Sequence, residues 1–98
     1  MEALNELIGK HVVVRSSPSG VWLGLLKEID GSTVALGQAR RAWTWNGAAS
    51  CSGLAVQGPA GGKFPSPVAT AVIFGACEVL LATPEAVARW EAVPAWLA

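Results

Sequence analysis

The sequence predicts a mainly β fold: a small twisted antiparallel sheet or open barrel, with a short N-terminal helix and a C-terminal helix. Three observations carry this prediction. The adjacent valines Val12–Val14 form a β-branched run, and the pair Asp30-Gly31 separates two apolar runs as a hairpin turn does. The triplet Thr83-Pro84-Glu85 combines an N-cap, a proline at the first helical position and an acid in the first turn. About four to six strands are expected.

The first forty residues predict a helix followed by three strands. Residues 1–8 place Leu4, Leu7 and Ile8 at helical spacing, and Gly9 ends that helix. Residues 10–15 predict a strand buried on both faces, because the three valines do not alternate with polar residues. A turn at 16–20 leads into a second strand at 21–29.

Asp30-Gly31 is expected to form a two-residue type I′ turn that pairs the second strand antiparallel with a third strand at 32–36. Gly37 is interpreted as a bulge that redirects the chain. The chain then continues as a further strand over 39–45, which carries an unusual arginine and tryptophan pattern.

Residues 46–62 are rich in glycine and predict less regular structure. We expect a helical turn or an irregular loop at 50–57, then a mobile loop at 58–62. No glycine-rich stretch matches a phosphate-binding or dinucleotide fingerprint. The prolines at 65 and 67 predict an extended segment between these loops and the next strand.

The C-terminal third predicts a strand or strand pair followed by a helix. Residues 68–81 are apolar on both alternating faces, which favours a central strand or one with a face in a subunit interface. The last helix is expected over Pro84–Val93, ended by Pro94. Trp96 and Leu97 form an apolar tail that folds back or contacts a neighbouring subunit.

Composition indicates a single domain (residues 1–98) that self-associates. The chain is 52% hydrophobic and only 14% charged, whereas a typical soluble domain has about 25% charged residues. So few charges leave apolar surface for burial between subunits. We therefore predict a homo-oligomer, with Trp96, Leu97 and one face of residues 68–79 as the contacts.

The balanced charge and the N-terminal sequence argue against several partners and compartments. Seven basic and seven acidic residues give a net charge of zero, so no global field favours duplex DNA or an anionic membrane surface. No apolar run reaches the ~18 residues of a membrane span. The N-terminus lacks the features of a signal peptide, and with only Cys51 and Cys77 the protein is predicted to be cytoplasmic with reduced thiols.

The segment Arg40–Gly47 is the most unusual stretch, because two cations and two indoles lie within six residues. In a regular strand, Arg41, Trp43 and Trp45 would share one face. Such a face can stack a planar ligand and neutralise a phosphate. Alternatively, its tryptophans can pack against a neighbouring strand and be covered by the arginine. The candidate ligand-binding residues are Arg40, Arg41, Trp43, Trp45 and Asn46.

Catalytic chemistry is not indicated. His11 lies in a predicted strand with no metal-ligand cluster or nucleophile motif around it. Glu78 lies in an apolar strand and is expected to pair with an arginine such as Arg15 or Arg40. We therefore predict a protein that is not an enzyme and that has no metal or cofactor.

The chain resembles a known family in Gly9-Lys10 before the valine strand, in the motif Arg40-Arg41-x-Trp43-x-Trp45-x-Gly47-Ala48, and in Glu78–Leu81 before the last helix. This is the family of small domains of unknown function encoded mainly by tailed bacteriophages and prophages. The similarity runs from about residue 9 to about 87. Ala42 stands where a larger aliphatic residue is usual in that family, and Cys51 where a leucine is usual.

The resemblance implies a viral context and no established activity, so function rests on the candidate site. Three hypotheses follow. The protein sequesters a small nucleotide or cyclic oligonucleotide of host immune signalling, in the host cytoplasm if phage-encoded. Alternatively, it is an inhibitor that binds a host defence protein, or a phage structural or assembly protein that self-associates through strand edges.

Overall fold

The computed structural model describes residues 2–97 and has ten elements. The helices are α1 (Glu2–Leu7), α2 (Cys51–Val56) and α3 (Pro84–Ala92), and the strands are β1 (His11–Ser16), β2 (Gly20–Asp30), β3 (Thr33–Ala42), β4 (Thr44–Asn46), β5 (Gly61–Lys63), β6 (Val68–Ile73) and β7 (Ala76–Leu81). The mainly β prediction is confirmed, as are the short N-terminal helix and the C-terminal helix.

Five strands form one antiparallel sheet in the order β6-β3-β2-β1-β7, and β4 pairs with β5 in a separate two-stranded sheet. Strands β6 and β7 lie at opposite edges of the large sheet although only Phe74 and Gly75 separate them in sequence. The sheet must therefore bend strongly to bring its edges near each other at this link. Ser16 fastens the link, because its Oγ donates a hydrogen bond of 2.6 Å to the Phe74 carbonyl. The sheet remains open.

Each face of the sheet has its own core. The helix-side core lies between the sheet and helices α2 and α3, and its largest members are Phe64, Trp90, Leu54 and Leu23. Trp90 is fully buried, and its ring meets the Phe64 ring edge-on at 5.1 Å between centroids. Its indole Nε1 also donates a hydrogen bond of 3.1 Å to the Leu54 carbonyl, which joins α3 to α2.

The inner core lies on the opposite, concave face and consists of side chains from the sheet itself, with Leu7 of α1 packed against it. Val12 and Val14 point into this core, whereas Val13 points into the helix-side core. All three valines are fully buried. The prediction that β1 is buried on both faces is confirmed.

Helix α3 begins as the sequence predicts. The Thr83 Oγ1 accepts a hydrogen bond of 3.0 Å from the Ala86 backbone N–H, and Pro84 follows at the first helical position. An N-cap of this kind satisfies a backbone donor that the helix cannot pair internally. The helix ends at Ala92 with Val93 in an extended conformation.

The hairpin between β2 and β3 differs from the prediction by one residue. Asp30 pairs with Thr33, so the two loop residues are Gly31 and Ser32 rather than Asp30 and Gly31. Gly31 has a φ of 59°, a left-handed conformation that glycine adopts without steric cost. The glycine fixes the turn, and Asp30 is the last strand residue.

Two further predictions are wrong. The stretch 58–62 is not a loop throughout, because Gly61–Lys63 forms β5 against β4. Residues 68–81 form two strands, as one predicted alternative has it, but the predicted central position is wrong, because β6 and β7 are the two edges of the sheet. A face in a subunit interface, the other alternative, stays a prediction. Pairing between distant segments decides these positions, and local composition does not encode it.

The C-terminal tail folds back on the body up to Trp96. Its backbone N–H donates a hydrogen bond of 2.9 Å to the Phe64 carbonyl, and the Lys63 ammonium lies 5.3 Å from the centre of its ring. Leu97 is 82% exposed. Within residues 2–97 we find no helix with the length and apolar character needed to cross a membrane.

Candidate functional site

A bulge in β3 determines where the two adjacent arginines point. Leu23 pairs with Arg40 and Leu25 with Gly37, so the single residue Gly24 of β2 lies opposite Gln38 and Ala39 of β3. Gln38 has a φ of 48°, the only described non-glycine residue with a positive value. The extra residue shifts the alternation by one position. Arg40 therefore faces the helix-side core and Arg41 the opposite side of the sheet.

Arg40 is buried, with 6% of its surface exposed. Its guanidinium donates three hydrogen bonds to backbone carbonyls: Nη1 to Trp90 at 2.7 Å, Nη2 to Phe64 at 3.1 Å and Nε to Pro65 at 3.1 Å. The group also lies 5.5 Å from the centre of the Phe64 ring. Burial lowers the pKa of this guanidinium. Arg40 thus joins β3, the segment after β5 and the end of α3.

Arg41 is half-buried and stacks on an indole of the neighbouring strand. Its guanidinium carbon lies 4.6 Å from the centre of the Trp22 ring, and the two residues are direct cross-strand partners. The Trp22 indole is itself fixed, because its Nε1 donates a hydrogen bond of 2.9 Å to the Ser19 carbonyl. This stack holds the cation in place on one side and leaves the other side for a second contact.

No ion pair with Arg41 occurs among the described residues, whose two salt bridges join Arg15 to Glu78 and Arg89 to Glu85. The Arg41 Nε is also buried without a hydrogen-bond partner. A cation without a neighbouring carboxylate retains its full attraction for an incoming anion.

Trp43 follows the end of β3 and is 60% exposed. Beside it a groove of about 270 Å³ separates the Arg41–Trp43 segment from the β1–β2 loop, and its lining is Pro18, Ser19, Gly20, Arg41, Ala42 and Trp43. An indole face and a guanidinium thus border one open groove. We call these residues, with Trp22 beneath Arg41, the Arg41–Trp43 groove.

The predicted single face of Arg41, Trp43 and Trp45 does not form. Trp45 packs against the helix-side core, and its indole Nε1 donates a hydrogen bond of 3.2 Å to the Ala48 carbonyl. The strand is interrupted at Trp43, and Trp45 belongs to β4 in the smaller sheet. Asn46 is exposed on β4 and does not line the groove. Of the five candidate residues, only Arg41 and Trp43 come together.

The other titratable residues that the sequence singles out, Glu78 and the two cysteines, lie outside the Arg41–Trp43 groove. Glu78 pairs with Arg15, with 2.9 Å between Oε1 and Nε, which confirms one of its two expected partners. This hydrogen bond raises the pKa of Arg15. Cys51 and Cys77 are free thiols, and burial raises the pKa of the Cys51 thiol. In the described part of the chain, no three His, Cys, Asp or Glu side chains are grouped as metal ligands.

Two features of the structure were missed by the sequence reasoning. Trp22 supports Arg41, but the predicted hairpin, with Asp30 and Gly31 as its loop, would bring Trp22 opposite Ala39. The observed register, with Asp30 opposite Thr33, brings Trp22 opposite Arg41. The second feature is a cleft of about 380 Å³ beside α3, lined among others by His11, Gln38, Arg40 and Glu91. No local motif predicts this cleft, because its residues come from five separate elements, β1, β2, β3, β6 and α3, and from the segment before β6.

The comparisons with known proteins place the chain in a family without adding an activity. A family model described as "Domain of unknown function (DUF6948)" matches residues 9–90. This range covers β1 to most of α3 and includes both arginines and the exposed indole. No curated protein matches the chain.

Proposed function

The chain belongs to the family described as a domain of unknown function, DUF6948, and we propose from its site that it is a non-enzymatic phage-type binding protein. Its proposed role is to sequester a nucleotide-like immune signalling molecule of the host cell. The ligand is expected to carry a phosphate and a planar ring, as a small nucleotide or a cyclic oligonucleotide does. The proposed site is the Arg41–Trp43 groove.

One observation carries this proposal: a fixed cation lies beside an exposed indole. The Arg41 guanidinium lies 4.6 Å from the centre of the Trp22 ring and has no acidic partner among the described residues. The neighbouring Trp43 is 60% exposed. Trp22 orients the guanidinium before any ligand arrives. An oriented guanidinium loses less rotational freedom when it binds a phosphate. A base stacked on an aromatic side chain contributes about 1–3 kcal/mol.

Binding without turnover fits the chemistry of the groove. The six residues that line it are Pro18, Ser19, Gly20, Arg41, Ala42 and Trp43, and none has a carboxylate, imidazole or thiol. General acid–base catalysis needs a group that exchanges a proton near neutral pH. An arginine remains protonated throughout that range, so the groove favours capture of an anion over its conversion.

Self-association would extend a groove of this size. A volume of about 270 Å³ is at the lower end of small-molecule sites, which usually span about 300–1,000 Å³. A cyclic oligonucleotide has at least two bases and two phosphates, so it would need more than one such groove. A homo-oligomer with two grooves near each other supplies them.

The direct test is quenching of tryptophan fluorescence by adenosine monophosphate, by a cyclic dinucleotide and by adenosine. We expect both phosphate-bearing ligands to quench saturably and adenosine to bind at least about tenfold more weakly, since it lacks the charge-assisted contact. Trp43→Ala should remove the quenching. Leu97→Ala removes an apolar residue that is 82% exposed and lies outside the groove, and this variant should retain the quenching. Equal binding of all three ligands, or none, would refute the proposal.

A phage structural or assembly protein is the second candidate, and edge strand β6 favours it. Residues 64–77 contain no charged side chain, and Val68, Val72 and Phe74 are 45%, 52% and 62% exposed. An uncharged apolar edge pairs readily with another strand. Light scattering that shows large assemblies without nucleotide binding would favour this alternative.

A further inference from the structure

We infer that the cleft beside α3 is a second binding site, for a small organic monocarboxylate with an apolar body, held by Arg40. This site is separate from the Arg41–Trp43 groove, because Arg40 and Arg41 are adjacent in β3 and therefore point to opposite sides of the sheet. The inference does not depend on the proposed nucleotide function.

Arg40 carries a buried charge that has no acidic partner among the described residues. This side chain is 94% buried, as its exposed fraction is 6%, and neither salt bridge of the described residues includes it. Its three acceptors are neutral backbone carbonyls. A guanidinium has five N–H groups, so three hydrogen bonds leave two N–H groups for a further acceptor, and no carboxylate of the described residues pairs with the charge. Buried charges in proteins are normally paired with an opposite charge.

This charge borders the cleft beside α3. Arg40 lines the cleft of about 380 Å³ together with the apolar side chains of Leu23, Val68 and Trp90. An anion that enters can reach an arginine in surroundings of low dielectric, where a charge-assisted hydrogen bond is stronger than in water. The apolar walls suit a hydrocarbon or aromatic body attached to that anion.

A carboxylate in the cleft favours a ligand with a single negative charge. Glu91 also lines the cleft and is exposed, and no salt bridge engages it in the described chain. A carboxylate at this position repels a second negative charge on the ligand. A monocarboxylate can place its one charge at Arg40, whereas a phosphate dianion meets the repulsion of Glu91 more strongly.

The backbone of the cleft is strained at Gln38. Gln38 lines it and holds a φ of 48°, a conformation that costs a non-glycine residue energy and tends to occur at functional sites. Its exposed amide can donate a hydrogen bond to an anion. The bulge that Gln38 forms is also what turns Arg40 toward the cleft.

The test is a titration of the full chain with benzoate and with benzamide, its neutral analogue, followed by ¹⁵N NMR. We expect benzoate to shift the Trp90 indole and Gln38 amide signals saturably, with a Kd on the order of 1–10 mM for so small a ligand. Benzamide should bind at least about tenfold more weakly. The Trp43 indole signal should not move, which separates this site from the Arg41–Trp43 groove.

Three variants sharpen the test. Arg41→Ala should leave benzoate binding unchanged, and Glu91→Gln should tighten it by about twofold because the repulsion is removed. Arg40→Lys keeps the positive charge and loses the guanidinium fork, so it should weaken binding several-fold. Equal responses to benzoate and benzamide, no saturable shift of Trp90 up to about 50 mM, or weaker binding by Glu91→Gln would each overturn the inference and leave Arg40 as a structural contact only.

Discussion

At the scale of single residues, Arg40 and Arg41 are neighbours in sequence with identical chemistry and different environments. Arg40 is buried against three carbonyl groups, whereas Arg41 lies on the Trp22 ring at the surface. The difference arises because successive strand residues face opposite sides of the sheet, and the bulge at Gln38 makes Arg40 the one that faces the helix-side core. The two residues should therefore respond differently to the same substitution.

Arg40→Ala should lower the free energy of unfolding by about 3 kcal/mol or more, because it removes three hydrogen bonds and leaves buried carbonyl groups unpaired. Arg41→Ala should cost less than about 1 kcal/mol, since it removes only a partly exposed cation–π contact. Urea denaturation monitored by circular dichroism measures both values. Equal losses would contradict the structural role of Arg40.

Gln38→Gly should raise the free energy of unfolding by about 0.5–1 kcal/mol, because glycine adopts the left-handed conformation at this position without steric cost. Gln38→Ala is the matched control, which removes the same side chain and keeps the Cβ. It should not stabilise the protein in urea denaturation. A less stable glycine variant would show that the bulge is not strained.

The sequence reasoning placed Arg40 and Arg41 on opposite faces, but it could not predict which of the two is buried or that Trp45 leaves the face of Arg41 and Trp43. Period-2 alternation assigns faces correctly only within an uninterrupted strand. The bulge at Gln38 and the break at Trp43 each change the alternation. Gly37 indicates a bulge in this strand, one residue before its observed position at Gln38. A left-handed backbone at a glutamine has no signal in the sequence.

At the scale of elements, the small sheet of β4 and β5 depends on close backbone approach. Gly62 has a φ of 142°, and a Cβ built there would lie 2.1 Å from the Thr44 carbonyl oxygen. At the adjacent Gly61, a Cβ would lie 3.5 Å from the Asn46 side-chain oxygen, which is an ordinary contact. This pairing of short, glycine-rich segments has no hydrophobic pattern, and it was missed for that reason.

Gly62→Ala should destabilise the protein by at least about 2 kcal/mol, because the new methyl group meets a backbone atom and the conformation at this position disfavours any side chain. Gly61→Ala is the matched control and should cost clearly less. Thermal denaturation of both variants provides the comparison. A similar loss at both positions would contradict the described register of β4 and β5.

Elements with strong local signals were predicted well. Thr83 and Pro84 define the start of α3, and the valine run defines β1, because a capping side chain and a buried β-branched run act over a few residues. The order of the strands depends on contacts between distant segments. For this reason β6 and β7, which look like central strands by composition, occupy the two edges.

At the scale of the whole molecule, the open sheet leaves an apolar edge at β6. Val68, Val72 and Phe74 are at least 45% exposed, and no charged residue occurs between Lys63 and Glu78. Natural proteins usually protect such an edge with charged side chains, proline or a covering segment. We therefore expect a second copy of the chain to cover this edge.

Val72→Lys should dissociate the predicted homo-oligomer into monomers, because it places a charge on the edge that the second copy would cover. Val56→Lys is the matched control, since Val56 is 62% exposed on α2, away from β6. Size-exclusion chromatography with light scattering measures the masses. A monomeric parent protein at micromolar concentration would refute self-association, and an unchanged mass of Val72→Lys would exclude the β6 edge as the interface.

We propose that Arg41 and Trp43 bind a phosphate-bearing planar ligand by two different contacts, a charge-assisted phosphate contact and base stacking. The salt dependence of nucleotide affinity distinguishes these two contacts. Calorimetry at several salt concentrations should show that Arg41→Ala weakens binding by about tenfold and lowers the salt slope by about 0.7–1. Trp43→Ala should weaken binding similarly without changing the slope, and Arg89→Ala, on α3, should resemble the parent. Two results would contradict this proposal: both Arg41→Ala and Trp43→Ala bind nucleotide as tightly as the parent, or the parent binds none.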